Sequence, residues 1–169
     1  MYYSAIYKYD TINSRGFSVS VFISGCQHYC PGCFNPETWN FKFGQEFTYE
    51  TIDEIIEALS PPYISSFCLI GGDPLESSVD PMLEKLLKTV RDAFCDTKKI
   101  WIWSGHTFQE ILNDPIKLKI IKYCDVLIDG RFIKKLMDLN LPHRGSKNQN
   151  VILIQESLRH GEVKLLPHT

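Results

Sequence analysis

Apolar positions along this chain follow two alternating rhythms. Phe17 to Ser24 (Phe-Ser-Val-Ser-Val-Phe-Ile-Ser) is dense in β-branched and aromatic residues and stops at Gly25, which predicts a strand. Thr48 to Leu59 places Ile52, Ile55, Ile56 and Leu59 at the spacing of one helix face, and Pro61-Pro62 closes it. Ser66 to Ile70 is a short apolar run ended by Gly71-Gly72. Pro81 to Phe94 reads as a helix with Met82, Leu83, Leu86, Leu87 and Val90 on one side. Lys99 to Trp103 predicts a third strand, closed by Ser104-Gly105. Thr107 to Leu112 and Ile116 to Tyr123 are helical pieces broken at Asp114-Pro115, and Val126 to Ile128 is a fourth strand before Asp129-Gly130. After a polar loop, Asn150 to Ile154 and Val163 to Leu166 are expected to add late strands.

Repeated strand–helix units predict an α/β architecture with a mostly parallel sheet. In such sheets ligands gather at the carboxyl ends of the strands. Here those ends read Gly25-Cys26, Gly71-Gly72-Asp73-Pro74, Ser104-Gly105-His106 and Asp129-Gly130-Arg131. Four polar or glycine-rich loops are thus expected along one edge.

Composition narrows the class. The 169 residues suit a single domain spanning 1–169, without repeats or linkers. Apolar residues make up 44% and charged residues 22%, as in an ordered globular protein. Eighteen basic against twenty acidic residues give a net charge of −2, with no global drive toward nucleic acid or an anionic membrane. No apolar run approaches the ~18 residues of a spanning helix. The first residues lack the basic start and apolar stretch of a signal peptide, so a cytoplasmic protein is expected.

Six cysteines change the picture more than charge does. Cys26, Cys30 and Cys33 lie within eight residues, while Cys68, Cys95 and Cys124 are scattered and read as small buried apolar residues. A chain expected in a reducing compartment uses such a tight group for metal or redox chemistry. The spacing also fits one face of a helix, but Pro31-Gly32 opposes a helix interior. Three readings of the thiols compete. A zinc knuckle would take the three thiolates with His28, although structural zinc sites usually combine two separate ligand pairs. A redox dithiol at Cys30-Pro-Gly-Cys33 leaves Cys26 unused. An iron–sulfur cluster with three protein thiolates uses all of them and keeps one iron open.

The C-x3-C-x2-C spacing is the signature of the radical S-adenosylmethionine (SAM) superfamily. The segment Ser24-Gly-Cys-Gln-His-Tyr-Cys-Pro-Gly-Cys-Phe-Asn-Pro-Glu-Thr-Trp39 closely resembles the cluster loop of anaerobic ribonucleoside-triphosphate reductase-activating proteins. Gly71-Gly-Asp-Pro-Leu75 resembles their Gly-Gly-Glu-Pro-Leu segment, with Asp73 one methylene shorter than Glu. Trp101-Ile-Trp-Ser-Gly-His-Thr-Phe108, Asp125-Val-Leu-Ile-Asp-Gly-Arg-Phe132 and Arg144-Gly-Ser-Lys-Asn-Gln149 are similar to later family segments. The resemblance runs in order from about Asp10 to near the C-terminus.

That resemblance implies an open partial (β/α) barrel with helices outside. It implies a [4Fe–4S] cluster on Cys26, Cys30 and Cys33 with one open iron, and SAM as its partner. Reductive cleavage of SAM would give a 5′-deoxyadenosyl radical, which makes a glycyl radical on the large subunit of the anaerobic ribonucleoside-triphosphate reductase. The protein is then an oxidoreductase without catalytic residues beyond the cluster ligands. SAM contacts are expected from Gly32 and Phe34 beside the last ligand, from Gly71, Gly72 and Asp73, and from Ser104 and Asp129 at strand ends. Ordinary turn, capping and packing roles compete at Phe34, Ser104 and Asp129. His28 is expected as a surface residue or one supporting the ligands, Lys134 and Lys135 as solvated charges, and Arg144 to Gln149 as a solvated loop or a dock for the reductase. Without a second cysteine cluster, the electron is expected from a separate donor such as a flavodoxin. The alternatives are an activase of another glycyl radical enzyme such as pyruvate formate-lyase, a superfamily member acting on a small molecule such as a deazapurine, and a non-catalytic zinc-binding interaction module.

Overall fold

A computed structural model describes residues 1–169. Strand β1 (Tyr2–Asp10) and strand β2 (Phe17–Ile23) form an antiparallel pair, and the two-residue β3 (Gln45–Glu46) covers the outer edge of β1. Strands β4 (Ile64–Gly71), β5 (Lys99–Trp103) and β6 (Val126–Asp129) continue from β2 in parallel. Strand β7 (Asn150–Leu153) closes the row antiparallel to β6. The order is β3-β1-β2-β4-β5-β6-β7.

Only three of the six pairings are parallel, which corrects the expectation of a mostly parallel sheet. The connections explain the mixture. A six-residue link joins β1 to β2, too short for the crossover that parallel strands need, whereas helices fill the β2–β4, β4–β5 and β5–β6 links. The sheet does not close on itself, since β3 and β7 stand at opposite edges. The structure is a mixed α/β fold rather than a barrel.

Helices α1 (Tyr49–Leu59), α2 (Pro81–Phe94), α3 (Phe108–Leu112), α4 (Pro115–Ile121) and α5 (Ile154–His160) all contribute to one large core. Strand alternation builds it: Val19, Val21 and Ile23 of β2, Phe67 and Leu69 of β4, and Ile100 and Ile102 of β5 share that face. On α1 the expected stripe delivers Ile52, Ile55 and Leu59, and on α2 it delivers Leu83, Leu86, Leu87 and Val90. Pro81 and Pro115 occupy the first helical positions behind Asp80 and Asp114, whose carboxylates accept from Met82 N and Ile116 N.

The opposite face carries a smaller cluster of Cys68, Trp101, Val126, Ile128 and Val151. Two further expectations fail. Val163 to Leu166 is not a strand; Leu165 makes a single bridge to Ile152, while the preceding residues turn into α5. Cys95 is exposed at the C-cap of α2, although Cys68 and Cys124 are fully buried as expected.

Candidate metal centre

Four parallel strands leave their C-terminal ends on one edge, and a cavity of about 420 Å³ opens there. The parallel register sets Ile23 of β2 beside Gly71 of β4. Two further backbone bonds extend that ladder past the strand ends, from Gly72 N to the Ile23 carbonyl at 2.8 Å and from Asp73 N to the Gly25 carbonyl at 2.9 Å. A Cβ on Gly71 would fall on the Ile23 carbonyl, and one on Gly72 would meet the carbonyls of Gly25 and Thr38. The two glycines therefore allow the β4 end to press against the root of the cysteine loop.

Beyond that root, Cys26, Cys30 and Cys33 all line the cavity as free thiols. The Cys33 sulfur accepts from Asn35 N at 3.4 Å. Burial pushes the Cys26 thiol up to about 11, and burial also raises Cys30. The Asn35 N–H on Cys33 suits a thiolate that binds iron or zinc. The loop can hold a cationic centre whose charge reverses the effect of burial. Three thiolates on one loop fit a cluster with three protein ligands.

A family model described as a 4Fe-4S single cluster domain matches residues 12–152. An anaerobic ribonucleoside-triphosphate reductase-activating protein of Enterobacteria phage T4 is 40% identical over 151 residues, covering 89% of this chain and 93% of that protein. Its counterpart in Escherichia coli (strain K12) is 39% identical over 153 residues, covering 89% and 97%. That of Vibrio cholerae serotype O1 is 37% identical over 151 residues, covering 88% and 96%. The chain belongs to the anaerobic ribonucleoside-triphosphate reductase-activating proteins.

In this member of the reductase-activating family, Phe34, Gly71, Gly72 and Ser104 line the same cavity as the three cysteines. Phe34 is not a core residue: its ring is 60% exposed and tilts against Phe132 at 5.1 Å. Gly32 is exposed on the loop, where a Cβ would meet the Lys134 side chain, so Lys134 packs on the cysteine loop rather than standing wholly in solvent.

Asp73 and Asp129 lie behind the wall, not on it. Asp73 Oδ2 accepts from Ser104 Oγ and Gly105 N, both at 2.9 Å, and sits 2.8 Å from His28 Nε2. Asp129 spends both oxygens on protein donors, Phe108 N at 2.9 Å and Asn150 N and Nδ2 at 3.0 and 2.9 Å. Both carboxylates are buried and tie neighbouring strand ends together.

The stretch Arg144 to Gln149 is more ordered than a solvated loop. Gln149 Oε1 accepts from Gly145 N and Ser146 N, while its Nε2 donates to the Gly130 carbonyl at 2.9 Å. Arg144 and Gln149 both reach the cavity. Sequence reasoning missed Trp39, Trp103 and His143 on the lining. Trp103 Nε1 donates to the His143 carbonyl at 2.9 Å, and Trp101 stacks on Trp103 at 6.2 Å and meets the His143 ring at 4.9 Å. Burial lowers the His143 pKa, favouring a neutral ring there. The outward alternation of the two tryptophans from the main core was the available signal for their placement.

Proposed function

We propose that this chain is a radical SAM oxidoreductase that generates a glycyl radical on the anaerobic ribonucleoside-triphosphate reductase. The observation that carries the reading is the set of three cavity-lining cysteine thiols beside the Gly71–Gly72 edge. Cys26, Cys30 and Cys33 hold a [4Fe–4S] cluster and leave one iron without a protein ligand. When bound, that cluster supplies one electron to SAM, giving methionine and a 5′-deoxyadenosyl radical that takes a hydrogen atom from a glycine Cα.

The chain's own residues bind, orient and shield. The backbone around Gly32 and the Phe34 ring offer an apolar surface for adenine, and the Gly71–Gly72 edge approaches the amino acid end of SAM. Ser104, Asp73 and Asp129 fix the strand ends that frame the site. The parallel strands β2, β4, β5 and β6 present their C-terminal ends to the site. Ile12 and Leu139 stand on the cavity lining yet are 80% and 77% exposed, which suits a large partner that covers the mouth. Cys68, Cys95 and Cys124 line no part of this cavity, so the electron comes from an external donor such as a flavodoxin. No helix is long and apolar enough to cross a membrane. We place the reaction in a reducing, oxygen-free cytoplasm.

Anaerobic reconstitution with iron and sulfide, followed by reduction and electron paramagnetic resonance (EPR) with and without SAM, tests the reading. A reduced [4Fe–4S] signal that changes on adding SAM, and then a glycyl radical on the added reductase, are the expected results. Zinc in place of iron, or a cluster indifferent to SAM, overturns it.

A further inference from the structure

Between Cys26 and Cys33 the loop is poorly tied down, for residues 27–32 donate no hydrogen bond to another backbone group. His28 is the exception through its side chain. Its ring is 5% exposed, and Nε2 lies 2.8 Å from Oδ2 of Asp73, which is 1% exposed. Gly105 lets the ring come close, because a Cβ there would fall on the imidazole. The His106 ring meets it edge-on at 4.7 Å and is itself held by Glu76 at 2.8 Å. One imidazole in the middle of the cysteine loop is thus boxed in by the ends of β4 and β5.

The hydrogen bonds fix its direction. Asp73 has no Lys or Arg partner; Oδ1 accepts from Leu75 N at 2.9 Å, and Oδ2 accepts from Ser104 Oγ and Gly105 N. In its Nε2–H tautomer His28 adds a further donor to the same oxygen. His28, Asp73, Glu76 and His106 also bring four ligand atoms within 4.8 Å, which raises a divalent cation as competitor. A bound cation and a hydrogen bond from His28 Nε2 to Asp73 exclude each other, and metal analysis tells them apart.

We propose that His28 is a positioning residue: clamped on Asp73, it fixes Cys26 and Cys30 relative to the Gly71–Gly72 edge where SAM is read. The proposal rests on the radical SAM reading and adds a reason for it to work. The loop that carries the iron and the strand end that carries SAM share one buried carboxylate, so they move as one piece. Outer groups that orient metal ligands typically change affinity or activity by about 10- to 100-fold when removed.

The test compares anaerobically reconstituted wild type with His28→Ala, His28→Gln, Asp73→Asn and the pair His28→Ala with Asp73→Asn. Iron and sulfide content, the EPR spectrum of the reduced cluster, and the SAM dissociation constant from an EPR titration are read for each. His28→Ala is expected to keep its iron while binding SAM about 10- to 100-fold more weakly. His28→Gln retains an N–H donor for Asp73 and recovers most of that affinity. The pair is no worse than the weaker single variant, because both break the same link. SAM affinity equal to wild type in His28→Ala overturns the proposal, as does loss of iron, which makes His28 a cluster-assembly residue. A zinc ion bound in addition to the cluster, and lost in both His28→Ala and His106→Phe, overturns it in favour of a second metal site. A wild type indifferent to SAM overturns this proposal and the reading beneath it together.

Discussion

Asp129 receives the backbone N–H of Phe108 at 2.9 Å, across 21 residues, and so joins the end of β6 to the start of α3. Its other oxygen holds the backbone and side chain of Asn150 at the start of β7. One buried carboxylate therefore stitches three elements at the rim of the cavity. Removing it in Asp129→Ala strands the buried Phe108 N–H and releases both Asn150 donors, at a cost of about 1–3 kcal/mol. Chemical denaturation of the cluster-loaded protein under argon measures that loss. A change below about 0.5 kcal/mol would show that water replaces the carboxylate at no cost.

The six cysteines separate by position. Cys26→Ala, Cys30→Ala and Cys33→Ala are each expected to lose the visible cluster absorption and all SAM cleavage. Cys68→Ala, Cys95→Ala and Cys124→Ala are expected to keep both, because these thiols lie outside the cavity lining. Iron and sulfide analysis of the six variants decides. Loss of iron in a well-folded Cys95→Ala protein would contradict the assignment.

Asp10 predicts a pH dependence. Burial raises its carboxyl, but hydrogen bonds from Ser20, Ile12 N and Asn13 outweigh burial and hold it below the ordinary Asp value. A carboxylate with a depressed folded pKa stabilises the fold fully above its unfolded value, about pH 4. That contribution disappears as the pH falls through the lower folded value. The stability advantage of wild type over Asp10→Asn should thus be constant from pH 7 to about pH 5 and shrink below about pH 4. An advantage that grows with acidity would reverse the sign.

Much of the fold was legible because it is local. The stripes of α1 and α2 and the glycine-ended runs of β2, β4, β5 and β6 are written in neighbouring residues. Strand β1 was not read, since its residues do not alternate cleanly and Tyr7 and Tyr9 are 55% and 70% exposed. Its pairing with β2, rather than its own periodicity, makes it a strand. The parallel or antiparallel sense of each pair was equally hidden, because it depends on connections and not on side-chain rhythm. The site divides in the same way. Cysteine spacing over eight residues is a sequence signal, whereas the His28–Asp73 contact spans 45 residues and exists only through the β2–β4 register.

Gly72→Ala should loosen that register. The added methyl group meets two carbonyl oxygens at the root of the cysteine loop, an overpacking that costs about 1–3 kcal/mol. The melting temperature should fall and the iron content with it. A variant with unchanged melting and full iron would show that the loop root yields freely.

Leu139→Asp and Ile12→Asp place a charge on the apolar mouth of the cavity. The yield of glycyl radical per SAM cleaved should drop by about tenfold, as for loss of an anchoring contact. An unchanged ratio would mean that the reductase docks elsewhere.

All three tryptophans of the chain stand at this end of the molecule, Trp39 and Trp103 on the cavity lining and Trp101 stacked behind. The protein consequently carries its own optical gauge. Its ultraviolet emission comes almost wholly from within reach of the cysteine loop, so loading iron should quench it. A ligand entering beside Trp103 should shift its wavelength. Assembly and occupancy of the site can then be followed in a sealed cuvette, without a label and without consuming the oxygen-sensitive sample.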